Sequence, residues 1–203
     1  MKVTIFCSDP KHPVWPKLAE YCAENGYFLT NLASRLTGGG YLFLISCTQF
    51  VGRDIRDRYE KVYVLHESDL PKGRGWSPVA WQILEGRDLI PVTLLEATDE
   101  IDAGPVVATE KAWVPFHALA DEIMACVWSA KRRLIERVLA GELRAHAQVG
   151  EPTYYKRRTQ DDARLDPDKT IVEQFNLLRI CDSRFPAFFE LHDQKYIVEL
   201  RKA

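Results

Sequence analysis

The sequence predicts an α/β fold, a mainly parallel sheet flanked by helices, with a short C-terminal helix and β-hairpin extension. Two observations carry the prediction. Short apolar runs alternate with amphipathic helical segments over the first two thirds of the chain, the pattern of strand-helix units that lay their strands side by side under a cover of helices. At 203 residues the chain can bury a core unaided, and it fits one domain with an appendage better than two large domains.

The first apolar run, residues 3–7, reads as a strand, and residues 15–24 follow as a helix. The alternation continues through a strand at 41–47, a helix at 53–59, a strand at 61–65, a helix at 78–84 and a strand at 92–96. Ser77 and Pro78 mark the start of the third helix. Serine is a preferred N-cap, and proline suits the first helical position because its missing N–H would have no partner there. A strand at 106–109 precedes a long helix with Leu119, Ile123, Val127, Leu134 and Val138 along one stripe, stopped by Gly141. Residues 141–170 hold few aliphatics and read as an extended connector. Thr170 with Glu173 forms a capping box that opens a helix through Ile171, Phe175 and Leu178, and residues 186–200 close as a hairpin.

Composition narrows the function. A net charge of -2 leaves no broad cationic footprint, which argues against a nucleic-acid partner. The basic run Lys156-Arg157-Arg158 is answered by Asp161, Asp162 and Asp166, so it reads as a surface salt-bridge network. Five cysteines, none in Cys-x-x-Cys spacing, read as reduced core residues, and no metal is expected. With no apolar stretch long enough for a signal peptide or a membrane span, the expected location is the cytoplasm, with no membrane partner. Phe185, Phe188, Phe189 and Tyr196 crowd a short tail and need a surface to pack on, so a homodimer is the expected assembly.

The densest chemistry lies in two segments. Residues 62–65 deliver His66 onto a loop rich in glycine and proline, and Asp102 follows 36 positions later in Ile101-Asp102-Ala103-Gly104. An imidazole exchanges protons near neutrality, and open α/β sheets present their chemistry at strand ends of this kind. Taken singly, His66 reads as a polar loop residue and Asp102 as a turn former before Gly104.

Taken in order, the segments His66-Glu67-Ser68-Asp69-Leu70-Pro71, Gly75-Trp76-Ser77-Pro78, Pro91-Val92-Thr93 and Asp102-Ala103-Gly104 resemble the formyltransferases that use 10-formyltetrahydrofolate. Residues 41–110 carry the specific motifs, and residues 152–200 are similar more weakly. The resemblance implies a Rossmann-like formyltransferase catalytic domain over residues 1–150 and an extension over 151–203. It implies that His66 and Asp102 are catalytic, and that 10-formyltetrahydrofolate is the co-substrate, with no metal. It places the pterin against Ile45, Ser46 and Cys47 and the loop of Thr98, Asp99 and Asp102. The amino substrate is then expected at Ser68, Lys72, Arg74, Gly75 and Trp76, where an indole face can stack and the two cations can meet a diphosphate. Beside this stand plainer readings: Lys72 solvated, Arg74 anchoring its own loop, and Trp81 in the core.

The sequence departs from the family at one position. The family carries Asn two residues before the catalytic His, and this chain has Val64. Losing one oxyanion donor costs about 3 to 4 kcal/mol, so a working enzyme needs a substitute, with Ser46, Cys47, Thr48 and Gln49 as candidates. Cys47 reads more readily as a small buried residue than as a nucleophile.

Within the family, Ser8-Asp9-Pro10-Lys11-His12-Pro13 lacks the glycine that lets backbone N–H groups approach a phosphoribosyl group. The few residues after Gly150 leave no room for the barrel domain of the tRNA branch. The expected substrate is therefore a nucleotide-linked amino sugar. The Leu70-Pro71-Lys72-Gly73-Arg74-Gly75-Trp76 wording points to a UDP-linked 2-acetamido-4-amino-4,6-dideoxy sugar of the pseudaminic-acid type. A formyltetrahydrofolate hydrolase and a non-catalytic folate-binding relative are the alternatives.

Overall fold

The computed structural model describes residues 2–141 and 143–203. Strand β1 (Val3–Phe6) leads through helix α1 (Trp15–Asn25) to β2 (Phe28–Thr30), a short edge strand that the apolar pattern does not reveal. Then follow β3 (Gly39–Ile45), α2 (Arg53–Arg56) and β4 (Tyr59–His66). The chain continues through β5 (Arg74–Gly75), α3 (Pro78–Leu84), β6 (Leu89–Glu96), β7 (Val106–Trp113) and α4 (Ala120–Leu139). The tail adds β8 (Tyr154–Tyr155), α5 (Phe175–Ile180), β9 (Ala187–Leu191) and β10 (Gln194–Val198).

The main sheet orders its strands β2-β1-β3-β4-β6-β7. The first four run parallel, as expected, but β6 and β7 are antiparallel to their neighbours, so the sheet is mixed. Length explains the switch. Helix α3 has 7 residues, roughly 10 Å of rise, too short to carry the chain back along an eight-residue strand before pairing. Helix α2 is also shorter than the periodicity suggests. It ends at Arg56 because the chain must turn into β4, and the Arg58 carbonyl there accepts the Gly39 N–H at 3.1 Å.

Alternation along the strands sorts the core onto two faces. Ile5, Phe43, Ile45, Leu65 and Leu94 face α1, α3 and α4 in the larger cluster. Phe6, Leu42, Leu44 and Val51, with Val62 and Val64, form the smaller cluster on the opposite face, beside α2. Helix α4 buries Ile123, Val127, Leu134 and Val138 as its stripe predicts, and Trp128 widens it. The buried stripe also includes Lys131.

Local punctuation is partly as expected. Ser77 occupies the N-cap of α3, but in a left-handed conformation (φ 52°), and its hydroxyl caps nothing. Thr170 and Glu173 exchange the hydrogen bonds of a capping box, yet α5 begins only at Phe175. The closing hairpin turns through His192 and Asp193, both at positive φ, the mirror-image turn that suits twisted two-residue hairpins. Phe188 is buried within its own chain and Phe189 stacks on Tyr196 at 5.2 Å. Among the described residues, no helix is long and apolar enough to cross a membrane.

Gly104 follows the aspartate turn that leads into β7. A Cβ added there falls 1.8 Å from the Glu96 carbonyl oxygen, a backbone atom that cannot yield without opening the β6–β7 junction. Gly104→Ala is expected to lower stability by about 2 to 3 kcal/mol. Gly86→Ala, in open space at positive φ, is expected to cost about 1 kcal/mol, with both read from urea midpoints.

Candidate active site

A cavity of about 590 Å³ opens at the tips of β3, β4 and β6, within the range of small-molecule sites. His66, the last residue of β4, is buried at its floor. Its Nε2 lies 2.8 Å from the Gly73 carbonyl oxygen, and its Nδ1 lies 3.6 Å from Oδ2 of Asp102. Both ring nitrogens therefore face acceptors. The same Asp102 oxygen accepts the Gly75 N–H at 2.9 Å. Asp102 itself adopts a left-handed conformation (φ 54°), the region that Asp tolerates better than most residues, and this turns its carboxylate back toward β4.

Gly73 and Gly75 make this arrangement possible. Both have positive φ (73° and 100°), and a Cβ on either meets Tyr155, at 2.8 Å from its ring or 2.7 Å from its carbonyl oxygen. The close approach is a two-stranded parallel patch, Arg74 opposite Tyr154 and Gly75 opposite Tyr155. It is reinforced by the Gly73 N–H on Thr153 Oγ1 (2.9 Å) and the Trp76 N–H on the Tyr155 carbonyl (3.2 Å). The C-terminal extension thus holds the loop whose backbone touches both His66 and Asp102.

The expected substrate residues divide. Gly75 and Trp76 line the cavity, whereas Ser68, Lys72 and Arg74 do not. Ser68 is 2% exposed beneath the loop, with its carbonyl accepting the Thr93 hydroxyl at 2.6 Å. Lys72 points to solvent. Arg74 anchors two loops, bonding Glu100 at 3.0 Å and Gln148 at 2.8 Å, while Gln148 donates to the Asp102 and Gly104 carbonyls at 2.8 Å each. Trp81 is half-buried and donates its indole N–H to the Lys156 carbonyl at 2.8 Å, so it ties helix to extension and is not a core residue.

The expected cofactor residues divide too. Ser46, Cys47 and Thr98 line the cavity. Ile45 is buried in the core on the other face of β3, and Asp99 lies outside the cavity in an ion pair with Arg56, which also donates to the Thr98 carbonyl. Ser46, Cys47, Thr48 and Gln49 all face the space beside Val64. Burial pushes the Cys47 thiol up to about 12, and the thiol donates to the Phe6 carbonyl at 3.1 Å, which rules against a thiolate nucleophile. Thr48 is committed to Ser8, its hydroxyl at 3.1 Å and its N–H at 2.8 Å. Ile45, opposite Leu65, ends β3, and Ser46 leaves the strand at positive φ (51°) to line the same cavity as His66.

Sequence reasoning missed the opposite wall. Glu67 follows His66 and points to the other face of the sheet, into an ion pair with Lys131 of α4, which is only 2% exposed. Burial pushes the Glu67 carboxyl up, but Lys131 and the nearby imidazoles outweigh it and hold the group below the usual carboxylate range. His12 faces the same lobe, its Nδ1 accepting the Val14 N–H at 3.2 Å. Burial, with Arg184 and Lys131 close by, pushes its imidazole down to about 4. Arg184, from the extension, bonds Asp182 at 2.7 Å and meets Asp9 at 3.5 Å. No local motif marks the Glu67–Lys131 and Asp9–Arg184 pairs, whose members lie 64 and 175 residues apart. Among the described residues, no group of three His, Cys, Asp or Glu side chains is arranged to hold a metal ion.

The architecture matches solved structures along almost its whole length. Methionyl-tRNA formyltransferase from Clostridium thermocellum superposes with a TM-score of 0.81 at 18% identity, over 98% of this chain and 100% of that one. A sugar N-formyltransferase from Shewanella sp gives 0.70 at 16%, over 98% and 97%. HypX from Aquifex aeolicus, in complex with tetrahydrofolic acid, gives 0.73 at 19%, over 98% of this chain and 37% of that one. No protein-family model matches the chain. At these identities the likeness establishes the fold: a Rossmann-like formyltransferase fold with a mixed sheet and flanking helices.

His12 has an acid signature. Its folded-state value lies below the ordinary one, so as pH falls from about 6.5 toward 4 the unfolded chain takes up this proton before the folded one, and stability drops through that window. His12→Gln is expected to flatten that part of the pH dependence, read from urea midpoints at pH 7 and pH 4.5.

Proposed function

We propose that this protein transfers a formyl group from 10-formyltetrahydrofolate to the free amine of a nucleotide-linked amino sugar. The observation that carries the reading is the approach of His66 to Asp102, 3.6 Å apart at the floor of a cavity, in a fold shared with formyltransferases. The likeness to a sugar N-formyltransferase and to HypX crystallised with tetrahydrofolic acid supports the substrate and co-substrate classes.

The cavity fits a pterin on its α2 side. Leu44, Val51, Val64, Leu95 and Ala97 form an apolar wall there, with Phe50 and Ile101 exposed at its mouth. When bound, the reduced folate supplies the activated formyl carbon. The protein's residues position the amine, accept its proton and stabilise the charge that develops on the formyl oxygen. His66 is the proton carrier: the Gly73 carbonyl holds its Nε2, and its Nδ1, 3.6 Å from Asp102, is the nitrogen left to take the amine's proton and return it to the folate nitrogen that departs. Asp102 orients the imidazole and fixes the loop through the Gly75 N–H. Ser46, which lines the cavity with His66 and whose hydroxyl makes no hydrogen bond among the described residues, replaces the oxyanion donor that the family places at Val64. The narrower substrate is a UDP-linked 2-acetamido-4-amino-4,6-dideoxy sugar, on the wording of the loop at residues 70–76.

Val64 lining the cavity favours one second reading: a folate-binding relative in which water takes the place of the amine, or in which turnover is lost. A formylation assay over UDP- and dTDP-linked 3-amino and 4-amino sugars, read as the mass gain of one formyl group, separates these readings. Formate release without acceptor marks a hydrolase, and tight folate binding with neither product marks the non-catalytic relative. In the transferase, His66→Asn and Asp102→Asn are each expected to lower turnover by at least about a hundredfold with folate binding nearly intact. Ser46→Ala is expected to lower turnover by roughly a hundredfold through the lost donor, and unchanged rates in that variant would remove Ser46 from the mechanism.

A further inference from the structure

Arg157 and Arg158 stand out from the other cations of the cavity. Arg56 pairs with Asp99 and Arg184 with Asp182 and Asp9, and just outside the cavity Lys156 pairs with Asp162 and Lys131 with Glu67. Arg157 and Arg158 line the cavity but form no ion pair among the described residues. Arg158 is 7% exposed, and its Nε and Nη2 are buried without an acceptor in the chain. Its guanidinium lies 5.3 Å over the Phe185 ring and beside the Cys181 thiol. Arg157 is exposed, with its guanidinium 4.8 Å over the Trp76 indole. Both line the cavity, and each guanidinium lies over an aromatic ring.

A buried guanidinium without a counter-charge is unfavourable, and a bound anion removes that penalty. The carboxylates nearest this lobe are committed, Asp9 and Asp182 to Arg184 and Glu67 to Lys131. Two planar forks in succession suit two linked phosphoryl groups, because each guanidinium can hold two oxygens. The apolar wall beside α2 suits a fused ring better than a diphosphate, which leaves the arginines for the phosphates.

We propose that Arg157 and Arg158 form the diphosphate-binding subsite for a nucleotide-linked acceptor, the role first expected of Lys72 and Arg74. This rests on the reading of the acceptor as a nucleotide sugar. Trp76, under Arg157, then borders the same subsite and reports its occupancy through indole fluorescence.

Calorimetric titration of the full chain with inorganic pyrophosphate and with UDP tests the subsite without requiring turnover. The expected result is saturable binding of both, weakened at least about tenfold in Arg157→Ala and in Arg158→Lys, with tetrahydrofolate affinity unchanged. Arg158→Lys keeps the charge and loses the fork, so it spares the fold while removing bidentate contact. Absence of pyrophosphate and UDP binding in the wild type overturns the proposal, as does binding that both variants retain in full. Weakened affinity for a triglutamylated folate, with pyrophosphate binding unaffected, also overturns it by assigning the arginines to glutamyl carboxylates. If arginine-dependent pyrophosphate binding holds while every amino sugar fails as an acceptor, the failure lies with the proposed reaction and not with the subsite.

Discussion

The pairing of Arg74 and Gly75 with Tyr154 and Tyr155 is the constraint on which the site depends. One glycine carbonyl in that loop meets His66 and one glycine N–H meets Asp102, so the loop sets the distance between two side chains that have no other reason to meet. Side chains on these glycines would collide with Tyr155, and the backbone that contacts the pair would move away. Arg74 completes the frame by tying its loop to Glu100 and Gln148, while Gln148 in turn grips the Asp102 turn. Positions are fixed here by backbone groups, which lose little entropy on ordering because the sheet and the patch already restrain them.

Strand alternation then divides the cavity between two chemistries. His66 and Glu67 are consecutive, so they leave the tip of β4 toward opposite faces of the sheet. On the α2 face the wall is aliphatic, continuous with the smaller core cluster. On the other side it is ionic, with Glu67 backed by Lys131, and with His12, Arg184 and the two arginines that form no ion pair among the described residues. The antiparallel switch at β6 serves the same end. It starts β6 beyond the tip of β4 and ends it opposite Tyr63, and the loop that follows folds back to carry Asp102 to His66.

Much of this was legible from local pattern. The parallel strands β1, β3 and β4, the stripe on α4, the start of α3 at Pro78 and the closing hairpin all follow from periodicities and turn residues acting over a few positions. His66 and Asp102 stood out because histidine at a strand end and aspartate before glycine are read locally. Arg74 was ambiguous for a physical reason: an arginine in a glycine-rich loop suits an anion or an anchor equally well, and only Glu100 and Gln148 decide it. The edge strand β2 was invisible because three residues carry too little pattern. The basic run at residues 156–158 misled for a related reason, since nearby acidic residues suggested pairs that only Lys156 makes.

The sequence by itself determined the α/β class and the order of the longer elements, and it singled out His66 and Asp102, because backbone propensity, hydrophobic period and turn chemistry act between near neighbours. Only the tertiary structure decided which cations stay unpaired, which loop residues face the cavity and that the extension braces the site. Those outcomes depend on contacts between segments tens of residues apart, such as Gly73 with Thr153 or Glu67 with Lys131, whose geometry no local pattern encodes.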